Sequence, residues 1–426
     1  MRACLIAAVA LLVAAPTAHA QDAARLPLGS AMRELVAAPD GGAWITYAPA
    51  SGRDRIGRLS PDGRLRTVAG GTLLGGTLGL DGQAWFRTEE HELVHVDADL
   101  RLTRATYPRR LIGPFAIGTD ATLWAPSYDD RMAHIAADGS VSYTPAPLPE
   151  ECTAPGTEQS ELHEMVRASD GAMWITDFGC DRLLRVTPEA TTAIAADVTS
   201  FALLTADASG GVWLSPPGDA EVTHVDTAGA VRTQRLALGE VSDIAVGADG
   251  TAWFAHAGCR LTRVEPGGSV TEVAVPVVTH RLDVDATGRL LLAGVTRLVR
   301  FTPGTAAAPC DDEGPAVRLR PAGRRIALAA LRRGFRVSVG ERAALTIVSF
   351  HRDRPNSEEF SSSRREDRNR RTSGAETVRY RLSDRRLRRY ARRLAEGRRP
   401  RLVLNVTATD ADGNVTRVQR IMRVTR

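Results

Sequence analysis

Two acidic side chains and a histidine near the middle of the chain have the spacing of a proton-transfer site. Glu161 and His163 are separated by one residue, and Asp177 follows fourteen residues after His163. A histidine beside carboxylates can keep a pKa near neutrality and remove a proton, while a hard cation on the carboxylate oxygens would polarise an adjacent carbonyl group. The residues therefore predict either a general base with Glu161 and Asp177 as metal ligands, or a hydrogen-bonded polar cluster that only lines a pocket.

A repeat of about 40 residues must position these side chains. Each copy contains a short turn, commonly Asp-Gly, followed by a tryptophan, and the seventh copy has Leu291 instead. The six tryptophans are Trp44, Trp85, Trp124, Trp174, Trp213 and Trp253. A second alternating motif follows each of them, as in Arg55-Ile-Gly-Arg-Leu. About four short strands per 40 residues are typical of propeller blades, so we predict an all-β chain with a seven-bladed β-propeller over residues 21–309.

The two ends of the repeat array are expected to join. The last copy stops after its third strand, while Arg25-Leu-Pro-Leu-Gly, residues 25–29, resembles the fourth strand of other copies. We predict that this N-terminal segment completes the last blade, because closing the ring removes both open sheet edges.

Innermost strands line the central channel of a propeller, so residues equivalent to His163 and Asp177 form two rings around it. Most members of these rings are chemically inert. The polar members that we predict to bind a ligand at the channel mouth, together with His163, Asp177 and the neighbouring Glu161, are Arg33, Tyr47, His256 and His280.

The repeated D-G-x-x-W-[FI] and R-[IL]-x-R-[VIL] motifs resemble those of the streptogramin B lyase (virginiamycin B lyase) propellers over about residues 25–305. This resemblance implies that His163 is the general base and that Glu161 and Asp177 complete a site with Mg²⁺. The implied reaction opens the ester of a cyclic depsipeptide by elimination, which is carbon–oxygen lyase chemistry.

Two positions depart from the lyase pattern. Gly113 stands where these enzymes carry a second histidine, and Glu164 replaces the glycine after the catalytic histidine. Losing one member of a cooperating site costs orders of magnitude in rate. We therefore expect a protein that binds a small-molecule or peptide-like ligand or a partner at the channel mouth, with the Mg²⁺-dependent lyase as the alternative.

The N-terminus and the cysteines indicate export. Residues 1–20 contain a basic start, a short apolar run and an Ala-His-Ala cleavage site, which predict a signal peptide; nothing later is apolar for long enough to span a membrane. The remaining cysteines, Cys152, Cys180, Cys259 and Cys310, are even in number, which favours two disulfides in an oxidising compartment. Of three pairings we prefer Cys152 with Cys180 and Cys259 with Cys310.

The C-terminal region, residues 310–426, differs in charge and pattern. Residues 1–310 carry 25 Arg and 36 acidic residues, while residues 311–426 carry 30 Arg and 14 acidic residues. Alternating segments predict a small antiparallel β-sandwich, similar to immunoglobulin-like or fibronectin-like modules, with a short helix over residues 384–396 and a mobile Arg/Ser-rich loop at 351–373. The basic surface is either a solvated face or a contact with the cell envelope. Nucleic-acid binding is not expected, because aromatic side chains for base stacking are missing.

Overall fold

A computed structural model of the chain has an all-β architecture, with a series of four-stranded sheets followed by a smaller unit of two sheets. The structure describes residues 21–426 except 28–29, 50–51, 79–81, 89–91, 107–114, 119–121, 128–130, 137–139, 146–161, 178–179, 188–189, 197, 199–201, 217–218, 257, 305–308, 311–312, 321–322, 353–365, 373 and 411–413. The predicted signal peptide, residues 1–20, lies outside the described residues. Among those described, no helix has the length and apolar character needed to cross a membrane.

The first 28 strands follow one another at short intervals. In chain order they are β1 (Gln21–Arg25), β2 (Ala31–Ala37), β3 (Ala43–Ala48), β4 (Asp54–Leu59), β5 (Leu65–Gly71), β6 (Leu73–Leu78), β7 (Ala84–Thr88), β8 (Glu92–Val96), β9 (Leu102–Thr106), β10 (Ala116–Ile117), β11 (Leu123–Ser127), β12 (Arg131–Ile135), β13 (Val141–Pro145), β14 (Leu162–Arg167), β15 (Met173–Asp177), β16 (Arg182–Val186), β17 (Thr191–Ala195), β18 (Leu203–Ala206), β19 (Val212–Ser215), β20 (Glu221–Val225), β21 (Val231–Arg235), β22 (Val241–Val246), β23 (Ala252–His256), β24 (Arg260–Val264), β25 (Val270–Ala274), β26 (Arg281–Val284), β27 (Leu290–Ala293) and β28 (Arg297–Phe301).

These strands form seven four-stranded antiparallel sheets within the described residues. Strands β2–β5 are the first sheet, β6–β9 the second, β10–β13 the third, β14–β17 the fourth, β18–β21 the fifth and β22–β25 the sixth, while β26–β28 with β1 are the seventh. The first strand of each sheet contacts the first strand of the next, and β26 contacts β2. The contacts therefore close a ring in which the first strands lie innermost, which is the arrangement of a β-propeller.

The Asp-Gly turns and the tryptophans explain why the repeat folds in this way. In the first sheet, the Asp40 carboxylate accepts the backbone N–H of Gly42 at 2.9 Å, and Gly41 adopts a positive φ of 82° that favours glycine. The chain then turns back into β3, where Trp44 is 1% exposed. Burying such a large side chain between neighbouring sheets supplies much of the apolar area that stabilises each blade.

The ring is closed by the N-terminal strand, as predicted, but the residues differ. Strand β1 pairs with β28, so the strand comprises residues 21–25 and not 25–29. Pro27 cannot donate a backbone hydrogen bond to a ladder, and Leu26 already bonds outside it, to the carbonyl of Thr296 at 2.7 Å. Residues 28–29 lie outside the described part of the chain. The sequence resemblance therefore placed the fourth strand of the last blade four residues too far toward the C-terminus.

The C-terminal unit has eight strands and two helices among its described residues. They are β29 (Val317–Arg320), β30 (Arg325–Ala327), α1 (Leu328–Arg333), β31 (Phe335–Val339), β32 (Ala344–Arg352), β33 (Glu366–Arg371), β34 (Glu376–Tyr380), α2 (Asp384–Ala395), β35 (Arg401–Thr409) and β36 (Val415–Thr425). One sheet has the order β29-β31-β34 and the other β30-β36-β35-β32-β33. Both contribute to one hydrophobic core, which contains Phe335, Tyr380 and Leu402.

The six predicted C-terminal strands and the short helix are present, but the sequence pattern missed other elements. Strand β30 pairs parallel with β36, so the unit is not entirely antiparallel. Part of the loop predicted at residues 351–373 is strand β33, which pairs with β32. Its charged sequence lacks an apolar face because it lies at a sheet edge, where charged side chains are common. Residues 353–365 lie outside the described part of the chain, and the immunoglobulin-like assignment stays a prediction.

Candidate functional site

Irregular pairing in the innermost strands places more polar side chains near the channel than strict alternation predicts. The β2–β3 register shifts between Met32 and Glu34, and the β22–β23 register shifts between Val241 and Asp243. The β14–β15 register shifts in the same way on either side of residues 163–164. A bulge puts two residues of one strand opposite a single residue of its partner and redirects their side chains. Sequence reasoning based on a period of two therefore missed the residue after each ring position.

Glu34 and Glu164 are the acidic residues redirected in this way on the first and fourth sheets. Burial raises the pKa of both carboxyl groups above the ordinary range. For Glu164 the pKa reaches about 7, because the negative charge of Glu34 adds to the effect of burial while Arg87 opposes it. Carboxyl groups on two non-adjacent sheets can influence each other only if both face the common axis of the ring.

Asp243 and Asp283 connect neighbouring innermost strands. The Asp243 carboxylate accepts the backbone N–H of Leu282 at 2.8 Å, and the Asp283 carboxylate accepts the backbone N–H of Ala37 at 2.6 Å. Burial raises the pKa of Asp243 to about 7 and that of Asp283 to about 6, although these hydrogen bonds act in the opposite direction. The two side chains thus join the sixth sheet to the seventh and the seventh to the first.

The Arg281 side chain links three innermost strands at one end of the channel by hydrogen bonds. Its guanidinium donates to the carbonyl oxygens of Arg33 at 2.6 Å, Ser242 at 3.1 Å and His280 at 3.0 Å. The predicted ligand-binding residues Arg33 and His280 therefore lie together. The Arg33 side chain is 46% exposed and lies 3.6 Å from the Asp54 carboxylate. Burial and the charge of Arg281 lower the pKa of the half-buried His280, which favours its neutral form at pH 7.

The structure describes only part of the predicted catalytic set. Glu161 and the side chain of His163 lie outside the described residues. The backbone of β14 places residue 163 next to Leu162, which pairs with Asp177 in the ladder. Asp177 itself is 0% exposed, and its carboxylate accepts the Nε–H of Arg182 at 2.9 Å. One of its oxygens is therefore already engaged by a cation of the protein.

Tyr47 and His256 differ from the expectation that they face a ligand. Tyr47 is 4% exposed and packs in a hydrophobic cluster, while His256 is 2% exposed. His256 bonds through Nδ1 to the carbonyl oxygens of Gly239 and Glu240, and its Nε2 lies 2.8 Å from the Thr262 hydroxyl. Burial lowers the pKa of His256. Because its ring nitrogens are bonded inside the protein, this histidine stabilises the end of the sixth sheet.

No group of three or more His, Cys, Asp or Glu side chains is placed to bind a metal ion within the described part of the chain. Asp177, one of the two predicted Mg²⁺ ligands, would have to exchange Arg182 for the ion. The other, Glu161, is not described. The described residues by themselves do not fit a magnesium site.

One of the two predicted disulfides is present in the described residues. Cys259 and Cys310 are bonded and link the sixth sheet to the segment that follows the propeller. Cys180 is also disulfide-bonded. Its predicted partner, Cys152, lies outside the described residues.

A closed ring of four-stranded sheets around a channel lined by acidic and basic side chains defines a β-propeller with a polar axial site. Comparison with protein-family models gives a match to the virginiamycin B lyase family over residues 26–276. The chain belongs to this family, which confirms the resemblance seen in the repeats. Among curated proteins, no sequence matches the chain significantly.

Solved structures give the same fold. A streptogramin B lyase is 17% identical, with a TM-score of 0.54, over 66% of this chain and 96% of that chain. The virginiamycin B lyase from Staphylococcus aureus is 17% identical, with a TM-score of 0.54, over 66% of this chain and 98% of that one. A catalytically inactive His-to-Ala variant of that enzyme with quinupristin is 16% identical over the same shares, with a TM-score of 0.54. At such identities the likeness concerns the fold.

Proposed function

We propose that this protein is a streptogramin-lyase-like propeller that binds a small peptide-like ligand at the mouth of its central channel. The observation that carries the proposal is the cluster of Arg33, His280 and Arg281 at one end of the innermost strands, with Glu34 near both arginines. Donors and acceptors of both charges around one opening are suited to the amide and carbonyl groups of a peptide.

Family membership supports this ligand class. One solved structure of a virginiamycin B lyase variant contains quinupristin, so a streptogramin B is the natural first probe. Binding is favoured over catalysis because Asp177 is ion-paired with Arg182, and because Gly113 and Glu164 depart from the lyase pattern. The lyase alternative retains Glu161 and His163. In that reaction a base removes the α-proton of a threonine-derived residue, the alkyl carbon–oxygen bond breaks, and the carboxylate leaves.

The test is to titrate the purified mature chain with quinupristin by calorimetry, with and without Mg²⁺, and to follow the ligand by chromatography and fragmentation mass spectrometry. Elimination gives a linear isomer of unchanged mass, whereas ester hydrolysis adds one water. We expect binding without conversion, weakened about tenfold in Arg33→Ala, with Arg53→Ala, an exposed residue just before β4, as the control. Conversion that His163→Ala abolishes would establish the lyase alternative, and the absence of binding would exclude this ligand class.

We further propose export from the cell and contact of the C-terminal unit with the cell envelope. The predicted signal peptide and the Cys259–Cys310 disulfide support an oxidising compartment. Residues 311–426 carry 16 more arginines than acidic residues, which favours anionic envelope polymers or lipid headgroups as partners.

A further inference from the structure

A separate cleft of about 570 Å³ lies between the fifth and sixth sheets, away from the channel residues described above. Strands β19–β21 contribute Trp213, His224 and Gln234 to its wall, and turns contribute Asp207 and Gly250. Its volume is within the range of about 300–1,000 Å³ typical of small-molecule sites, and such sites combine aromatic side chains with a few polar groups.

The first and fourth sheets of the same ring show one way in which this space is closed. Trp44 and Trp174, in the first and fourth sheets, donate their indole N–H to the backbone oxygens of Gly82 and Gly210, each at 3.0 Å. An arginine on the next strand covers each ring: Arg58 lies 5.3 Å from the Trp44 centroid, and Arg185 lies 5.8 Å from that of Trp174. Both tryptophans are buried, at 1% and 0% exposure.

The second, third and fifth sheets have a histidine in place of this arginine: His95 opposite Trp85, His134 opposite Trp124 and His224 opposite Trp213. In the fifth sheet this exchange lies beside the cleft. His224 occupies the place opposite Trp213 that arginine occupies opposite Trp44 and Trp174. The shorter histidine ring lies 4.7 Å from the Trp213 centroid and is tilted by 43°, while its Nε2 lies 2.6 Å from the Asp207 carboxylate. Trp213 is only half-buried, and its indole N–H has no hydrogen-bond partner among the described residues.

Gly250 lies at the position whose backbone oxygen would accept the Trp213 indole N–H. It corresponds in the repeat to Gly82 and Gly210, whose backbone oxygens accept the indole N–H in the first and fourth sheets, but here it lines the cleft instead. In the sixth sheet, by contrast, Arg263 lies 5.5 Å from the ring centroid of Trp253, which is 4% exposed. In the fifth sheet the exchange of arginine for histidine thus accompanies a half-buried indole ring whose N–H has no partner among the described residues.

Acidic side chains outnumber basic ones in the cleft wall, but two of the three carboxylates already have a partner. His224 bonds to Asp207, and Glu265 is paired with Arg263 at 2.7 Å. The remaining charged lining residues, Asp249 and Arg232, are both exposed and have opposite signs. Further donors and acceptors come from the amide and hydroxyl groups of Gln234, Thr233 and Ser209. A charged ligand would gain little net attraction here, whereas an uncharged ligand with several hydroxyl groups and one apolar face would match the lining.

We propose that the cleft binds one or two pyranose units of a neutral glycan. The C–H face of a sugar ring packs against the part of the Trp213 indole that His224 and Phe254 leave open, as other apolar surfaces pack on aromatic rings. Its hydroxyl groups both donate and accept, so they can bond to the Asp249 carboxylate and the Gln234 amide, and they can satisfy the free indole N–H. This site is independent of any ligand at the channel.

The proposal is tested by calorimetry of the mature full-length chain with three neutral trisaccharides: cellotriose, maltotriose and triacetylchitotriose. Trigalacturonate and triglucosamine serve as anionic and cationic counterparts. We expect at least one neutral trisaccharide to bind, with an affinity about tenfold weaker in Gln234→Ala. Arg235→Ala is the matched control, because Arg235 is exposed on the same strand but does not line the cleft.

A second variant copies the arrangement in which an arginine covers the tryptophan ring. His224→Arg should restore the arginine cover seen over Trp44 and Trp174, and should abolish sugar binding while the thermal midpoint stays unchanged or rises. Trp213→Ala should also abolish binding, but its loss of packing makes it the less discriminating variant. Absence of binding by all neutral trisaccharides, tighter binding of a charged one, or neutral binding that survives His224→Arg would each overturn the proposal.

Discussion

The carboxyl groups of the channel illustrate how position decides the chemistry of a residue. Glu34, Glu164 and Asp243 are half-buried on innermost strands, where few water molecules can solvate a charge. Burial is the largest cause of their raised pKa values, and mutual repulsion between Glu34 and each of the other two adds to it. The pKa values of Glu164 and Asp243 reach about 7, so the net charge of the channel changes in the physiological range.

This raised pKa makes the folded state sensitive to pH. Glu164 binds its proton up to about pH 7 in the folded protein, whereas the ordinary value is 4.5. The folded state therefore binds more protons between these values, and the free energy of unfolding falls as the pH rises through this window. Glu164→Gln removes this contribution, so it should raise the free energy of unfolding at pH 8 by about 1–3 kcal/mol and leave it nearly unchanged at pH 4. Urea unfolding across this pH range measures both quantities.

The control for this prediction is Glu240→Gln, which removes the same charge from an exposed side chain. It should shift the free energy of unfolding by less than about 0.5 kcal/mol at any pH. Equal effects of the two substitutions would contradict the assignment of Glu164 to a desolvated channel position.

At the scale of elements, the sequence predicted what depends on repetition and missed what depends on irregularity. The tryptophan register placed the second strand of each sheet, because a large apolar side chain at a fixed interval must be buried in the same way each time. The bulges beside Arg33, His163 and Ser242 have no signature in apolar alternation, so the acidic residue that follows the ring position was missed.

The burial of polar side chains could not be predicted from the sequence pattern either. His256 was predicted to meet a ligand because its residue type suits one, yet its hydrogen bonds to two backbone carbonyls and a hydroxyl depend on turns distant in sequence. In the C-terminal unit, β33 was predicted as a loop because an edge strand can be almost entirely charged. In both cases tertiary contacts outweigh local composition.

Helix α2 has one buried face and one exposed basic face. Arg386, Tyr390 and Leu394 are buried, and the Arg386 guanidinium donates to the carbonyl of Ser349 at 2.8 Å. Arg385, Arg388 and Arg392 are exposed with the spacing of a single helical face. This basic face can approach an anionic surface without unfolding the helix.

We predict that replacing Arg385, Arg388 and Arg392 together by Gln weakens binding to vesicles of phosphatidylcholine and phosphatidylglycerol. Each arginine near an anionic membrane contributes about 1 kcal/mol, so the loss should be about 10- to 100-fold at low salt. Vesicle co-sedimentation measures it. Replacing the exposed propeller arginines Arg53, Arg101 and Arg235 is the matched control and should have little effect. Similar binding by the two triple variants would assign the envelope contact elsewhere.

At the scale of the whole molecule, the stability of the ring depends on its closure. Strand β1 supplies the fourth strand of the seventh sheet, and Ala23 and Leu26 beside it are 6% and 7% exposed. The Asp22 carboxylate pairs with Arg297 across the junction at 2.7 Å. Without β1, strand β28 would become an exposed edge, and a propeller with an open junction can separate at the first and last sheets.

Two changes at this junction separate the contribution of the β1–β28 ladder from that of the Asp22–Arg297 ion pair. A chain that begins at Leu26 lacks β1 and its backbone hydrogen bonds to β28; at about 1 kcal/mol per bond, it should lose on the order of 3 kcal/mol and several degrees of thermal midpoint relative to the chain that begins at Gln21. Asp22→Ala keeps the ladder and should lose no more than about 1 kcal/mol, because the Asp22 side chain is 39% exposed and solvent weakens its pairing. Differential scanning calorimetry of both proteins makes the comparison. If Asp22→Ala matched the truncation, the ion pair and not the strand would close the ring, and an unchanged midpoint in the truncated chain would mean that the remaining sheets stay closed by their innermost strands alone.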